Sequence, residues 1–294
     1  MGTQEYKQFR FNDDTLALIR TMNAIVDDYT AQGFKLTVRQ LYYQLVARDV
    51  IENNERSYKR TTSVVNDARL AGMMDWDAIE DRTRAFVRQT RWDSGKHILQ
   101  NAALGFHMDM WDNQPCRPFV IVEKEALTGV LERSCVRYDV PLLAARGYPS
   151  ASVLREFAVE DILPYLGNQN IVIIHLGDHD PSGLDMTRDL RERIELFCDG
   201  EPVELVRIAL NMDQIRARKP PPNPAKTTDS RFADYRRQYG SESWELDALP
   251  PSFLAELVEN EIAKYVDGDA WKERAEEVKA IKLKLTNVAK RFRG

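Results

Sequence analysis

From residue 118 onward four apolar, β-branched runs, PFVIV, VPLLAA, NIVIIHL and VELVRIAL, alternate with segments of helical spacing at about 125–137, 150–163 and 183–197. A βαβαβαβ order implies a parallel sheet covered by helices, which rules out most other folds for this stretch. Three carboxylates fall just past two of the runs: Glu123 after the first, Asp178 and Asp180 after the third. An open α/β domain places its chemistry at the carboxyl edge of the sheet. Three like charges gathered there repel unless a hard divalent cation offsets them, so the pattern points to Mg²⁺. Gly147-Tyr148-Pro149-Ser150 reads as the turn after the second strand, and Pro181 and Gly183 place Asp180 in a tight loop that opens a helix.

The N-terminal part has a different texture. Leu16, Ile19, Met22, Ile25, Val26 and Tyr29 keep helical spacing over 13–30, and Thr37 is suited to cap a second helix, TVRQLYYQLVARDV. A third helix is expected over 57–71. Three short helices before a compact segment suit a helix-turn-helix or winged-helix module. The expected division is 1–95 helical, 96–117 a connector, 118–212 the sheet domain, and 213–294 a proline-containing basic arm with C-terminal helices. In the second helix Val38, Leu41, Tyr42 and Leu45 form the buried stripe. Tyr43 is turned about 100° away and shares a face with Arg39, where a guanidinium beside a phenol favours ionisation and meets phosphate. Taken alone, adjacent tyrosines are packing residues.

Three pieces, in order, carry a resemblance: ArgGlnLeuTyrTyr at 39–43, ValGluLys at 122–124 with GlyTyrProSer at 147–150, and AspHisAspProSerGly at 178–183. Over roughly residues 30–210 the chain resembles the A subunit of type IIB topoisomerase (topoisomerase VI) and its relative, the meiotic double-strand-break transesterase. The resemblance implies a winged-helix (CAP-like) domain followed by a Toprim domain, here with a helical C-terminal extension. It implies Tyr43 as the nucleophile on a DNA phosphodiester, giving a 5′-phosphotyrosyl link and a free 3′-hydroxyl. Arg39 would steady the phosphate or lower the phenol's pKa. Glu123, Asp178 and Asp180 would hold Mg²⁺, with Glu123 also a general acid-base group at the 3′-oxygen. It further implies a homodimer whose site takes the tyrosine from one protomer and the acids from the other.

Some features depart from the family. Ser182 stands where an aromatic usually precedes the last glycine, and no Gly-rich ATP-binding segment is visible, so strand passage would need a separate ATPase subunit. A Toprim nuclease using metal-activated water and a non-catalytic DNA-binding protein stay open as alternatives. The formal net charge of −5 argues against binding DNA through overall charge. Candidate local contacts are Lys124, Arg84 and Arg88 (with Arg91 on one helical face), and Arg231 and Arg236 among the aromatics of the basic arm. Glu245 and Asp247 are read as capping or salt-bridge residues, and His175 as a core histidine. Three cysteines without ligand spacing, a polar start and no membrane-length apolar run suggest a cytoplasmic protein.

Overall fold

The computed structural model describes residues 2–80 and 89–292. Three helices open the chain: α1 (Asp13–Ala31), α2 (Val38–Ala47) and α3 (Glu55–Leu70). Asn12 caps α1, and Thr37 and Gln40 form a capping box that satisfies orphan amides at the start of α2. Leu18, Ile19, Met22, Ile25 and Val26 of α1 meet Leu41 and Leu45 of α2 and Val64, Val65 and Ala68 of α3 in one apolar cluster. Leu36 and Ile79 form a parallel bridge beside this bundle, and Glu5 and Ala71 an antiparallel one.

Residues 95–105, expected as the start of a connector, instead form α4 (Gly95–Gly105). This helix lies along the last helix of the chain, a partner that local periodicity could not reveal.

The sheet domain follows as β1 (Cys116–Val122), α5 (Thr128–Arg137), β2 (Leu142–Ala144), α6 (Ala151–Phe157), β3 (Asn170–Leu176), α7 (Pro181–Phe197) and β4 (Glu204–Ala209). All pairings are parallel, in the order β2-β1-β3-β4. The sheet is buried on both faces, as a parallel sheet must be: Val120, Val122, Val172 and Ile174 point into one apolar cluster, Phe119, Ile121, Ile171 and Ile173 into another.

Beyond β4 come α8 (Met212–Arg218), β5 (Asn223–Pro224), α9 (Phe232–Tyr239), β6 (Glu242–Ser243), α10 (Pro251–Ala263) and α11 (Gly268–Arg291). A 3₁₀ turn, Leu246–Ala248, joins β6 to α10 and touches α2. The two-residue strands β5 and β6 pair antiparallel, so the proline-rich arm folds back as a hairpin. Among the described residues no helix is long and apolar enough to cross a membrane.

Candidate active site

Glu123 directly follows β1 and Asp178 lies just past β3, two neighbouring strands in register at Val122 and Leu176. The chain leaves β1 for β2 on one side and returns to β3 on the other. That reversal opens a crevice at the strand ends, where open α/β sheets bind ligands. The Asp178 N–H donates to Glu123 Oε2 at 2.8 Å, tying the two strand ends together. Asp180 caps α7, its Oδ1 accepting the Gly183 N–H at 2.6 Å. A Cβ on Gly183 would run into the Asp178 carbonyl and stand 3.2 Å from Glu123 Oε2, so only glycine fits this turn.

Arg207 of β4 fastens the turn from below. Its guanidinium donates to the carbonyls of Gly177 at 2.9 Å, Asp178 at 2.7 Å and Gly183 at 3.0 Å. Burial lowers its pKa to about 10, against the pull of Glu123, Asp178 and Asp180. Glu123 is pushed up, first by burial and then by the charge of Asp180, while the Asp178 amide opposes both.

Next to the acids lies a buried ion cluster. Lys124 Nζ meets Asp178 at 3.1 Å, Glu245 at 2.8 Å and Asp247 at 2.9 Å. Arg39 pairs with Glu245 and, at 3.2 Å, with Asp247. Burial disfavours the Lys124 ammonium, but three carboxylates outweigh it and raise its pKa. Burial likewise acts against Glu245, yet Lys124 and Arg39 hold it down to about 2. Asp178 goes the other way, pushed up to about 7 by burial despite Lys124. The salt-bridge reading of Glu245 and Asp247 matches these contacts.

Tyr43 is not on an open face. Only 3% of it is exposed, as little as Tyr42 at 4%. The face that turns away from the helical bundle is covered by the hairpin and the 3₁₀ turn, whose Ala248 packs on both rings. Burial first, then the Glu245 charge, pushes the Tyr43 phenol up to about 12; Arg39 pulls downward more weakly because its guanidinium is spent on Glu245 and Asp247. Arg39 acts in the expected direction on the phenol, but burial and the Glu245 charge outweigh it. The group that touches the Tyr43 hydroxyl is Asn223, whose Nδ2 donates to it at 3.3 Å.

Tyr43, Arg39, Lys124, Asp178, Asp180 and Glu245 line one open cleft of about 590 Å³ within a single chain. Among the described residues no three His, Cys, Asp or Glu side chains stand together as a metal cage. The donors nevertheless fit a hard cation in a narrower way. Glu123 and Asp180 each engage one oxygen with a backbone amide, and the described contacts leave the second oxygen of each open. Mg²⁺ commonly takes one or two carboxylates and completes its shell with water and substrate phosphate. Of Asp178, expected as a third ligand, one oxygen accepts the Leu246 N–H at 2.7 Å and the other faces Lys124.

The expected nucleic-acid contacts divide. Arg84 and Arg88 lie outside the described residues. Lys124 is enclosed by carboxylates, and Arg231 is occupied by Asp229 and Asp185. Arg236 is exposed on α9. Neither a scan against protein-family models nor a search of the curated proteins gives a match. Sequence reasoning missed Asn223, Asn53 and Arg207. The only local signal for Asn223 is its place among prolines, PPPNP, which marks a rigid turn and nothing of its partner.

Proposed function

We propose that the protein is a Mg²⁺-dependent DNA-cleaving transesterase of the type IIB topoisomerase A-subunit kind, working through a 5′-phosphotyrosyl intermediate. The observation that carries this reading is the single cleft lined by Tyr43, Asp178 and Asp180, with Glu123 bonded to the Asp178 amide at its edge. Tyr43 Oη forms a bond to phosphorus and the bond from phosphorus to the 3′-oxygen breaks. The phenolic proton leaves to water and the 3′-oxygen takes one from water, so atoms and charge balance. Attack by the 3′-hydroxyl on the phosphotyrosyl bond reverses the step, since bond energy is kept in the covalent link. Bound Mg²⁺, held by Glu123 and Asp180, would stabilise the phosphate's growing charge. Glu123 cannot offer its open oxygen to a cation and carry a proton there, so it is assigned as ligand and not as acid.

The three-helix bundle with its Leu36–Ile79 bridge supports a winged-helix role for the N-terminal part. A homodimer would bring two tyrosines to the two strands of a duplex, although one chain already carries both halves of the cleft. Strand passage would require a separate ATPase subunit, and we place the enzyme in the cytoplasm.

Supercoiled plasmid incubated with protein and Mg²⁺, then trapped with denaturant, tests the reading. Cleaved DNA should enter the gel only after protease digestion, and Tyr43→Phe should abolish it. A Tyr43→Phe protein that cleaves as well as wild type overturns the claim. One observation favours a second reading, hydrolysis by metal-activated water: the Tyr43 phenol, although it borders the cleft, is buried and raised to about 12. That reading predicts free 5′-phosphate ends and no adduct.

A further inference from the structure

We propose that Asn223 is a catalytic residue of this site, the donor that holds and activates the Tyr43 hydroxyl for attack. The inference rests on the transesterase reading and adds to it a residue from the arm that the family resemblance does not cover. The geometry is a relay with one consistent direction. Tyr42 donates its hydroxyl to Asn53 Oδ1 at 2.8 Å, and Asn53 Nδ2 donates to Asn223 Oδ1 at 3.1 Å. Because the Asn223 carbonyl oxygen is thus occupied as an acceptor, its amide nitrogen must face the other way. There Nδ2 reaches the Tyr43 hydroxyl at 3.3 Å and Glu245 Oε1 at 3.5 Å.

The backbone under Asn223 is equally fixed. The residue sits in the β5–β6 pair opposite Ser243, whose hydroxyl donates to the Asn223 carbonyl at 3.2 Å, and Pro222 and Pro224 flank it. A donor held in place before the reaction stabilises developing negative charge without reorganising. An amide cannot give up its proton at ordinary pH, so it supports a phenolate without competing for its proton. The other charged groups facing the phenol are Glu245 and Asp247 from the C-terminal side and Arg39 from its own helix. Arg39, tied to both carboxylates, is not the group in contact with the oxygen.

Single-turnover adduct formation on end-labelled duplex DNA with Mg²⁺ tests this in full-length protein, with DNA affinity and melting temperature measured alongside. Asn223→Ala should slow adduct formation by about 10²-fold, the effect of removing one preorganised donor, while DNA affinity holds. A merely structural loss would instead lower DNA affinity or melting temperature in step with the rate. Asn223→Asp, nearly isosteric, should be slower still, because it replaces the donor with a second carboxylate against the phenol. An adduct rate equal to wild type in either variant, or a rate loss matched by a loss of DNA affinity or melting temperature, overturns the inference and leaves the transesterase reading standing. A wild-type protein that yields no adduct overturns both.

Discussion

Asp180 is held by an amide three residues away and Glu123 by one 55 residues away across paired strands, whereas the Tyr43 hydroxyl meets a partner 180 residues distant. Asp180 and the tyrosine border the same cleft, with Glu123 behind the Asp178 amide, but the sheet builds one half and a returning hairpin builds the other. The difference teaches where each half is vulnerable. The acid half needs only β1, β3 and the start of α7. The tyrosine half needs residues 222–248 folded back over α2, fastened by the paired backbone bonds of His179 and Trp244 at 2.9 and 3.0 Å.

Breaking the acid half should give the largest effect. Glu123→Gln or Asp180→Asn should lower Mg²⁺-dependent adduct formation by about 10³-fold or more, with little change in melting temperature. Asp178→Asn should act differently, lowering the melting temperature, because its carboxylate anchors Lys124 and the Leu246 amide. If Asp178→Asn matches Glu123→Gln in activity and leaves stability untouched, Asp178 is a ligand and the two-carboxylate assignment fails.

The ion cluster joins the two halves and is the next target. Lys124→Met strands the Asp178 carboxylate and leaves Glu245 and Asp247 to Arg39 alone, and should destabilise the fold by about 3 kcal/mol in urea titration. Arg39→Met should cost about 1 kcal/mol or less, since its side chain is 44% exposed. Equal losses would mean that the cluster is bound as tightly to α2 as to the sheet.

One pH effect on stability arises inside the sheet. His175 lies inside β3, its pKa lowered to about 3 by burial and then by Arg207. The unfolded chain takes up that proton near pH 6.5 while the folded one refuses it. The contribution is therefore complete above about 6.5 and is lost as pH falls toward 3. His175→Asn should flatten the acid limb of a stability-versus-pH curve; an unchanged limb would assign it to other groups.

The smallest effects should come from the arm's arginines. Arg236→Ala should weaken DNA binding and reduce its salt slope by about 1, while Arg231→Ala, already engaged by Asp229 and Asp185, should change the slope less. The reverse order would mean that DNA releases Arg231 from its carboxylates.

How far the sequence could be read follows the same division. Strands and their crossover helices are announced by period and composition within a few residues, so the sheet was legible, and with it the place of Glu123 and Asp180 past the ends of β1 and β3. The Thr37 cap and the burial of Leu41, Tyr42 and Leu45 on α2 were legible for the same local reason, but not the Gln40 half of the capping box. The surroundings of Tyr43 were not, because a prolyl run predicts an absence of helix and carries no information about the surface it returns to. The partners of Asp178 were not legible for a related reason: Lys124 and Leu246 come from other segments.

Peptide mapping of the trapped DNA adduct tests the central claim most directly. After nuclease trimming and proteolysis, the account predicts a residual nucleotide on Tyr43 and on no other tyrosine. A label on Tyr42 or Tyr58, or cleaved DNA with no labelled peptide, would contradict it.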